Sequence, residues 1–345
     1  MEIYKNKRTA SSLKPDTILP IRGLTAPGKI PYDEVSIITY SNVVSTHHGL
    51  LQENQLIEKT TVFEIYPNEN LQRTWTESLL NGPLKASRKL DQALVLTHSY
   101  DANYQHFLIE TLPRLHLFDI NFTIDIPILI SKAPFVREIL TLLYPDFEFI
   151  TVDEQNPVEI QSLAIYPRLF TRNLNPLHTI TINALNLLID KATRNISDDT
   201  SSDELIYLGR KIDPSNSGAA RIMLNQTKFV EELREYEFVD KYFEGLSIGE
   251  KASVLKDAKV IITPIGANVM NILFARKLEY LIVISHKYAF GHADWFVDLA
   301  QALCPNLKQV GVFEDITISD ETSKNGNVPY EINVEAFKTS LNTFY

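Results

Sequence analysis

The stretch from Leu205 to Ser285 leaves little choice of fold. Short strand-like runs, Leu205–Leu208, Lys259–Thr263 and Tyr280–Ser285, alternate with helix-patterned segments. Parallel neighbours in a sheet need a long crossover, and a helix supplies one, so this spacing predicts a parallel, Rossmann-like sheet. Thr227–Glu235 reads as one crossover helix and Glu237–Val239 as a short strand. Ser247-Ile248-Gly249-Glu250 has capping-box spacing, so a helix starts there and runs to about Asp257. Pro264–Asn268 reads as a turn, followed by a short helix to Phe274.

The preceding half is less regular. Glu34–Tyr40, Thr60–Ile65, Leu94–Leu96, Ile126–Ile130, Phe147–Val152 and Glu159–Ile165 read as strands. Asn103–Phe118, Ala133–Leu143 and Thr179–Ala192 read as helices, the first interrupted by Pro113. The first 20 residues are polar and are read as disordered or as docking on a partner. At roughly 150 residues per domain, 345 residues make about two domains. The polar run Asn195–Asp203 marks the boundary. The expected division is 1–198, 199–310 and a C-terminal segment 311–345 packing back on the first domain.

Absences narrow the chemistry. A net charge of −10 argues against wrapping nucleic acid, which draws on many Lys and Arg contacts to phosphate. The lone Cys304 excludes an internal disulfide and a cysteine-based zinc site, and suits a reducing compartment. Neither a secretory leader nor an apolar run of membrane-spanning length is read, so a cytoplasmic protein is expected. No two glycines are separated by one residue, which removes the dinucleotide fingerprint. The P-loop, H-E-x-x-H and G-x-S-x-G patterns are missing as well. No D-x-D pair stands ready for Mn²⁺ or Mg²⁺, so an enzyme here is expected to work without a dedicated metal or other cofactor.

Two constellations remain. His106, Glu110 and Arg114 are spaced i, i+4, i+8, and His98 and Asn103 lie just before them where a strand ends. A carboxylate beside an imidazole is a sensible general base; a solvated helix face with a Glu–Arg pair is the plain alternative. The second set is Arg210 after a strand, Arg221, Asn225 and the Gly266-Ala267-Asn268 turn. Glycine lets the backbone approach a ligand, and Asn268 is placed to cap a helix whose N-terminus favours an anion. Two arginines beside it suit a diphosphate; surface arginines around an ordinary capped turn are the alternative. Glu250 is explained by capping alone.

The segment Asp101–Leu115 resembles the N-xx-H-xxx-[DE]-xx-PR-L signature of glycosyltransferase family 61. Tyr207-Leu-Gly-Arg210, Arg221-Ile-Met-Leu-Asn225, Leu246–Glu250 and Ile265-Gly-Ala-Asn-Val-Met-Asn271 follow that family's order and spacing, over about residues 90–300. The resemblance implies an α/β, GT-B-like fold of two Rossmann-like domains facing a cleft. It implies an inverting glycosyltransferase that moves a sugar from a nucleotide-sugar donor to a glycan or lipid-linked glycan, in surface or capsular polysaccharide synthesis. Such work takes place in the cytoplasm or at the inner face of the membrane, with peripheral membrane association. By motif match Glu110 is the base and His106 its orienter or the alternative base; His98, Asn103 and Arg114 lie on the acceptor side. Arg210, Arg221, Asn225, Glu250, Gly266, Ala267, Asn268 and Asn271 fall in the donor-binding domain. One departure is plain: Ile265 stands where the family usually has His. A nucleotide-sugar epimerase and a non-catalytic glycan- or nucleotide-binding subunit remain as alternatives, and a purely structural role is the weakest.

Overall fold

A computed structural model describes residues 7–20, 35–53, 55–57, 60, 86–98, 100–169, 179–196, 204–211, 222–285, 293–318 and 329–344. The chain divides into two compact units, Met1–Lys191 and Ala192–Tyr345.

The first unit holds strands β1 (Arg8–Thr9), β2 (Ile18–Pro20), β3 (Val35–Tyr40), β4 (Val43–Thr46), β5 (Gly49–Gln52), β6 (Gln55–Leu56), β7 (Arg88–Val95), β8 (Phe122–Thr123), β9 (Ile128–Ser131), β10 (Phe149–Val152) and β11 (Val158–Leu169). Its main sheet runs β10-β9-β7-β11-β4-β5-β6, with β3 also on β11 and β2 on β3. The β10-β9-β7-β11 part is parallel, whereas β3 and β4 pair antiparallel with β11. The first unit is therefore a mixed sheet, not the fully Rossmann-like one expected. Hairpin chemistry explains the antiparallel part. His47-His48 makes a two-residue turn between β4 and β5, and Glu53 adopts a positive φ of 49° in the next turn. The expected strand Glu34–Tyr40 is β3; of Thr60–Ile65 only Thr60 lies among the described residues.

The polar N-terminal segment joins this unit. β1 pairs with β8 and β2 with β3. Asp125 receives the Ser11 N–H at 3.0 Å and Asp16 receives the Ser41 N–H at 3.0 Å.

Helix α1 (Tyr104–His106), a π-helical turn over Phe107–Thr111 and α2 (Leu112–Asn121) succeed one another along the chain. Helices α3 (Pro134–Leu143) and α4 (Thr179–Thr193) follow later in the chain. In the order β10-β9-β7-β11 the connection from β7 goes to one side and β11 lies on the other. The carboxyl end of β7 is therefore a topological switch point, where open parallel sheets place their sites.

The second unit matches the expected parallel sheet. Strands β12 (Leu205–Gly209), β13 (Val239–Tyr242), β14 (Val260–Pro264), β15 (Tyr280–Ile284) and β16 (Gln309–Phe313) run in the order β13-β12-β14-β15-β16, all parallel. The continuous apolar runs of β14 and β15 are buried throughout or nearly so, as strands covered on both faces require. Here the switch point lies between β12 and β14. Helices α5 (Gln226–Arg234), α6 (Ile248–Leu255) and α7 (Ala293–Leu303) and a 3₁₀-helix over Ala267–Phe274 accompany the sheet.

The end of the chain belongs to this second unit. Strands β17 (Ile316–Ile318) and β18 (Tyr330–Ile332) pair, and α8 (Val334–Phe344) closes the chain. Phe337 of α8 meets Phe229 and Phe313 edge to face, each with ring centres 4.9 Å apart, in one core with Tyr207 and Ile262. Asn225 fastens the same segment: its Nδ2 donates to the Ile332 carbonyl at 2.8 Å and its Oδ1 accepts the Ile332 N–H at 3.1 Å.

Candidate active site

Leu96-Thr97-His98, all buried, follow directly on β7. The chain then turns sharply into α1. Asp101 makes the turn: its Oδ2 accepts the His98 N–H at 2.9 Å and its own N–H donates to the His98 carbonyl at 3.0 Å. Asn103 caps α1 through Oδ1, which accepts the Gln105 N–H at 3.0 Å. Asn103 is thus a cap, fixing where the helix begins.

Pro113 sits at the start of α2, just after the π turn. A proline lacks the N–H of a regular helix and its ring crowds the carbonyl four residues back. The backbone widens instead, and the Leu112 N–H reaches back to the Phe107 carbonyl. Such widened turns recur at functional sites. Glu110 lies inside this one.

The widening alters the expected face. His106 and Glu110 still meet, with Nδ1 and Oε1 2.9 Å apart. Arg114, however, turns inward and is only 3% exposed. Its Nε donates to the Glu110 carbonyl at 3.1 Å, and its Nη2 to the Leu96 carbonyl at 2.7 Å and to Thr111 Oγ1 at 3.3 Å. The guanidinium lies 4.9 Å from the centre of the Tyr166 ring on β11. Arg114 therefore bolts helix to sheet; the solvated Glu–Arg surface pair is not what forms. His98 stands on the other side of Glu110, its Nδ1 3.9 Å from Oε2. That Oε2 is buried and among the described residues has no hydrogen-bond partner. His98 and Glu110 side chains are 6% exposed and His106 19%.

Burial raises the Glu110 carboxyl, but the His106 hydrogen bond and the charges of His106, His98 and Arg114 outweigh it and hold the group below the usual carboxylate range. Burial pulls His98 down to about 4, with Glu110 opposing. Burial pushes Asp101 up to about 7 against the His98 N–H and the Arg114 charge.

The last two shifts give stability opposite slopes in pH. Native His98 binds a proton less readily than the unfolded chain, so stability falls as pH drops from 6.5 towards 4. Native Asp101 holds a proton the unfolded chain has released, so stability falls as pH rises from 3.8 towards 7. Each is worth about 3–4 kcal/mol across its window, so the two nearly cancel in the natural protein. Asp101→Asn is expected to expose the His98 slope, its urea midpoint falling between pH 6.5 and 4. His98→Gln is expected to expose the reverse slope. Midpoints that track the natural protein across this range would contradict the assignment.

In the second unit the residues singled out in the sequence divide. Arg210 leaves the carboxyl end of β12 beside the switch point. Three side chains hold the backbone there: Thr263 Oγ1 donates to the Leu208 carbonyl at 3.0 Å, Asn268 Nδ2 to Gly209 at 3.1 Å and Gln226 Nε2 to Arg210 at 3.0 Å. Gly209 has no room for a side chain; a Cβ would come within 2.9 Å of both Tyr207 and Tyr242. The Arg210 side chain is partly buried, and among the described residues it has no hydrogen bond or ion pair. Burial lowers its guanidinium, with Tyr330, Glu244 and Tyr207 opposing.

Gly266 comes two residues after β14 with φ 138° and ψ −169°, a conformation open to glycine. Ala267 opens the 3₁₀-helix. Gly266 occupies the cap without a side-chain bond, so Asn268 is not the cap expected; it ties the helix to β12. Asn271 Nδ2 donates to the Asn268 carbonyl and Oδ1, each at 2.8 Å, while its buried Oδ1 has no partner. Ile265 is buried, its N–H donating to the Ile284 carbonyl at 2.9 Å.

The geometry around Asn225 and Glu250 is capping and clamping. Asn225 is fully used by Ile332. Glu250 completes a capping box, accepting the Ser247 N–H at 2.7 Å on an exposed surface. Arg221, His286 and His292 lie outside the described residues. Among the described residues no three His, Cys, Asp or Glu side chains are grouped to hold a metal ion, and no helix is long and apolar enough to cross a membrane. Sequence reasoning missed Asp101, Thr263 and Gln226. Only Asp101 carried a signal, an acid two residues before a cap and three after a strand-ending histidine.

The sequence model described as Glycosyltransferase 61 matches residues 104–282, just over half of the chain. The chain belongs to glycosyltransferase family 61. No curated protein matches the sequence. This family-61 glycosyltransferase is matched from the first residue of α1 into β15. The match thus takes in His106, Glu110 and Arg114 of the first unit and the β12–β14 switch point of the second. His98, Asp101 and Asn103 precede it.

Proposed function

We propose that this glycosyltransferase, GT-B-like in fold, moves a sugar from a nucleotide-sugar donor to a glycan acceptor by one inverting displacement, without a metal ion. The buried carboxylate–imidazole pair carries the reading: Glu110 Oε1 lies 2.9 Å from His106 Nδ1. An inverting transfer needs a base for the acceptor hydroxyl and positive charge for the leaving diphosphate.

Burial supports His106 over Glu110 as the residue that takes the proton. Glu110 is ionised and enclosed, so it accepts Nδ1–H and fixes the tautomer that leaves Nε2 with a lone pair. His106 is the more exposed partner. The hydroxyl proton passes to Nε2, the oxygen bonds the anomeric carbon, and the carbon–oxygen bond to diphosphate breaks. The developing imidazolium is held by the Glu110 charge. The diphosphate takes the electron pair, stabilised by Arg210, Arg221 and the N–H groups that open the 3₁₀-helix after Gly266. Asn268 and Asn271 brace that turn. The acceptor is a surface or capsular glycan, lipid-linked at the inner face of the membrane, with the protein peripheral to it.

The donor arm is tested by thermal shift against nucleotides and nucleotide sugars, with EDTA and with Mg²⁺. One nucleotide class is expected to raise Tm equally in both, by mass action on the folded state. Arg210→Ala is expected to weaken that nucleoside diphosphate roughly 10–100-fold by titration calorimetry, the loss of one charge-assisted contact. Unchanged affinity would remove Arg210 from the site. A donor converted with no acceptor to a different sugar would favour an epimerase.

A further inference from the structure

We propose that Asp101 is a positioning residue for the transfer reaction, clasping His98 so that its imidazole stays against the unpartnered oxygen of Glu110. The inference rests on the reading of His106 and Glu110 as the proton-accepting pair.

Asp101 is a costly residue for a turn. An exposed turn takes Asp, Asn or Ser with little preference. Here the side chain is 3% exposed, and an enclosed carboxylate destabilises the fold unless it is well bonded. What it bonds is the peptide of His98, from both sides: the carboxylate takes the His98 N–H and the Asp101 N–H meets the His98 carbonyl. That peptide is the last point of control over the His98 ring. Among the described residues the ring has one other tie, the Tyr100 N–H reaching Nδ1 at 3.4 Å, a long contact.

The ring in turn encloses Glu110. Oε1 is taken by His106, and among the described residues Oε2 has His98 Nδ1 near it, 3.9 Å away, and no hydrogen-bond partner. A neutral imidazole there fills space and excludes water without neutralising the carboxylate. Were the ring to swing out, water would reach Oε2 and weaken the charge that supports His106 (a low local dielectric is what makes that charge effective). The charged groups around Asp101 are few: Arg114 from the helix, with His98 on its own turn. Arg114 is itself fastened to Leu96, two residues before His98. Strand end, turn and helix are thus laced together around Glu110, and Asp101 is the member that holds the His98 peptide, with Ser131 and Ala102 also acting on its carboxyl.

The test uses the full chain labelled with ¹⁵N-histidine and read by long-range ¹H–¹⁵N NMR, beside turnover of a nucleotide sugar that the natural enzyme consumes. His98→Gln assigns the signal. In the natural protein His98 is expected to stay neutral down to about pH 5, in keeping with its lowered affinity for a proton. In Asp101→Ala it is expected to titrate near the ordinary ~6.5. In the same variant kcat is expected to fall at least ~10-fold, with the donor KM within about twofold. Asp101→Asn keeps an oxygen for the His98 N–H and is expected to restore both readouts. If Asp101→Ala does not fold, Asp101→Ser, which shortens the reach, takes its place.

A folded variant with His98 still silent, or with kcat unchanged, overturns the proposal. Glu110→Gln is run in the same assay. If it turns over normally, the reading of the proton-accepting pair fails; if it is inert while Asp101→Ala is normal, only the role of Asp101 fails.

Discussion

Glu110→Gln and His106→Gln are each expected to lower kcat by about 10²–10⁴, the span attributable to a positioned acid–base group. Donor affinity should stay within about twofold in both, because neither residue lies in the unit proposed to bind the donor. The double variant should be scarcely worse than the poorer single one, since the two residues act as one device. Glutamine at 110 can still accept Nδ1–H, but it withdraws the charge that the imidazolium needs. Single-turnover rates with purified variants, beside calorimetric nucleotide binding, separate the two effects. Additive losses would mean that the 2.9 Å contact between the side chains has no chemical consequence. Normal turnover in either single variant would sink the mechanism.

Arg114→Met is expected to cost about 3–5 kcal/mol of stability, the usual penalty for deleting the partner of buried charged and polar groups. Methionine fills similar space but leaves the carbonyls of Leu96 and Glu110 without the donors they now have. It also takes the arginine's charge from between Glu110 and Asp101 and gives up the contact with Tyr166. For a unit of this size the loss corresponds to a fall in Tm of roughly 10 °C. Arg114→Lys should rescue little, because an ammonium cannot reproduce a planar fork that reaches both a helix carbonyl and a strand carbonyl. Scanning calorimetry checks both variants. A Tm within about 2 °C of the natural protein would show that Arg114 does not bolt helix to sheet.

The contrast between these residues shows what was legible in the sequence. Periodicity exposed the second sheet because its strands are buried on both faces, and runs such as Tyr280–Ile284 carry no polar alternation to confuse them. The resemblance implied a Rossmann-like first unit, and the β4–β5 hairpin departs from that pattern through two turn residues. His47-His48 has none of the Asn-Gly chemistry that usually announces one. Spacing brought His106 and Glu110 together correctly, because four residues still make a neighbour at the edge of a widened turn. It misdirected Arg114, because the π turn before Pro113 rotates the later side chains about the helix axis. An arginine also reads as surface until its carbonyl partners are known.

The donor-side set divides for a similar reason. Gly266 was legible because its φ of 138° suits a residue without a Cβ. Asn225 was not, because its partner Ile332 lies more than 100 residues away and pairs through the backbone, which leaves no trace in local pattern. Glu250 was explicable from its capping-box spacing alone, and the cap is what forms.

A time course of donor turnover in EDTA, monitored by one-dimensional ¹H NMR of the anomeric protons, tests the inverting, metal-independent reaction most directly. An α-linked nucleotide sugar is expected to yield the β-configured sugar first, with nucleoside diphosphate released in step and no divalent ion added. First appearance of the α-configured sugar, or turnover only after a divalent ion is restored, would contradict the mechanism.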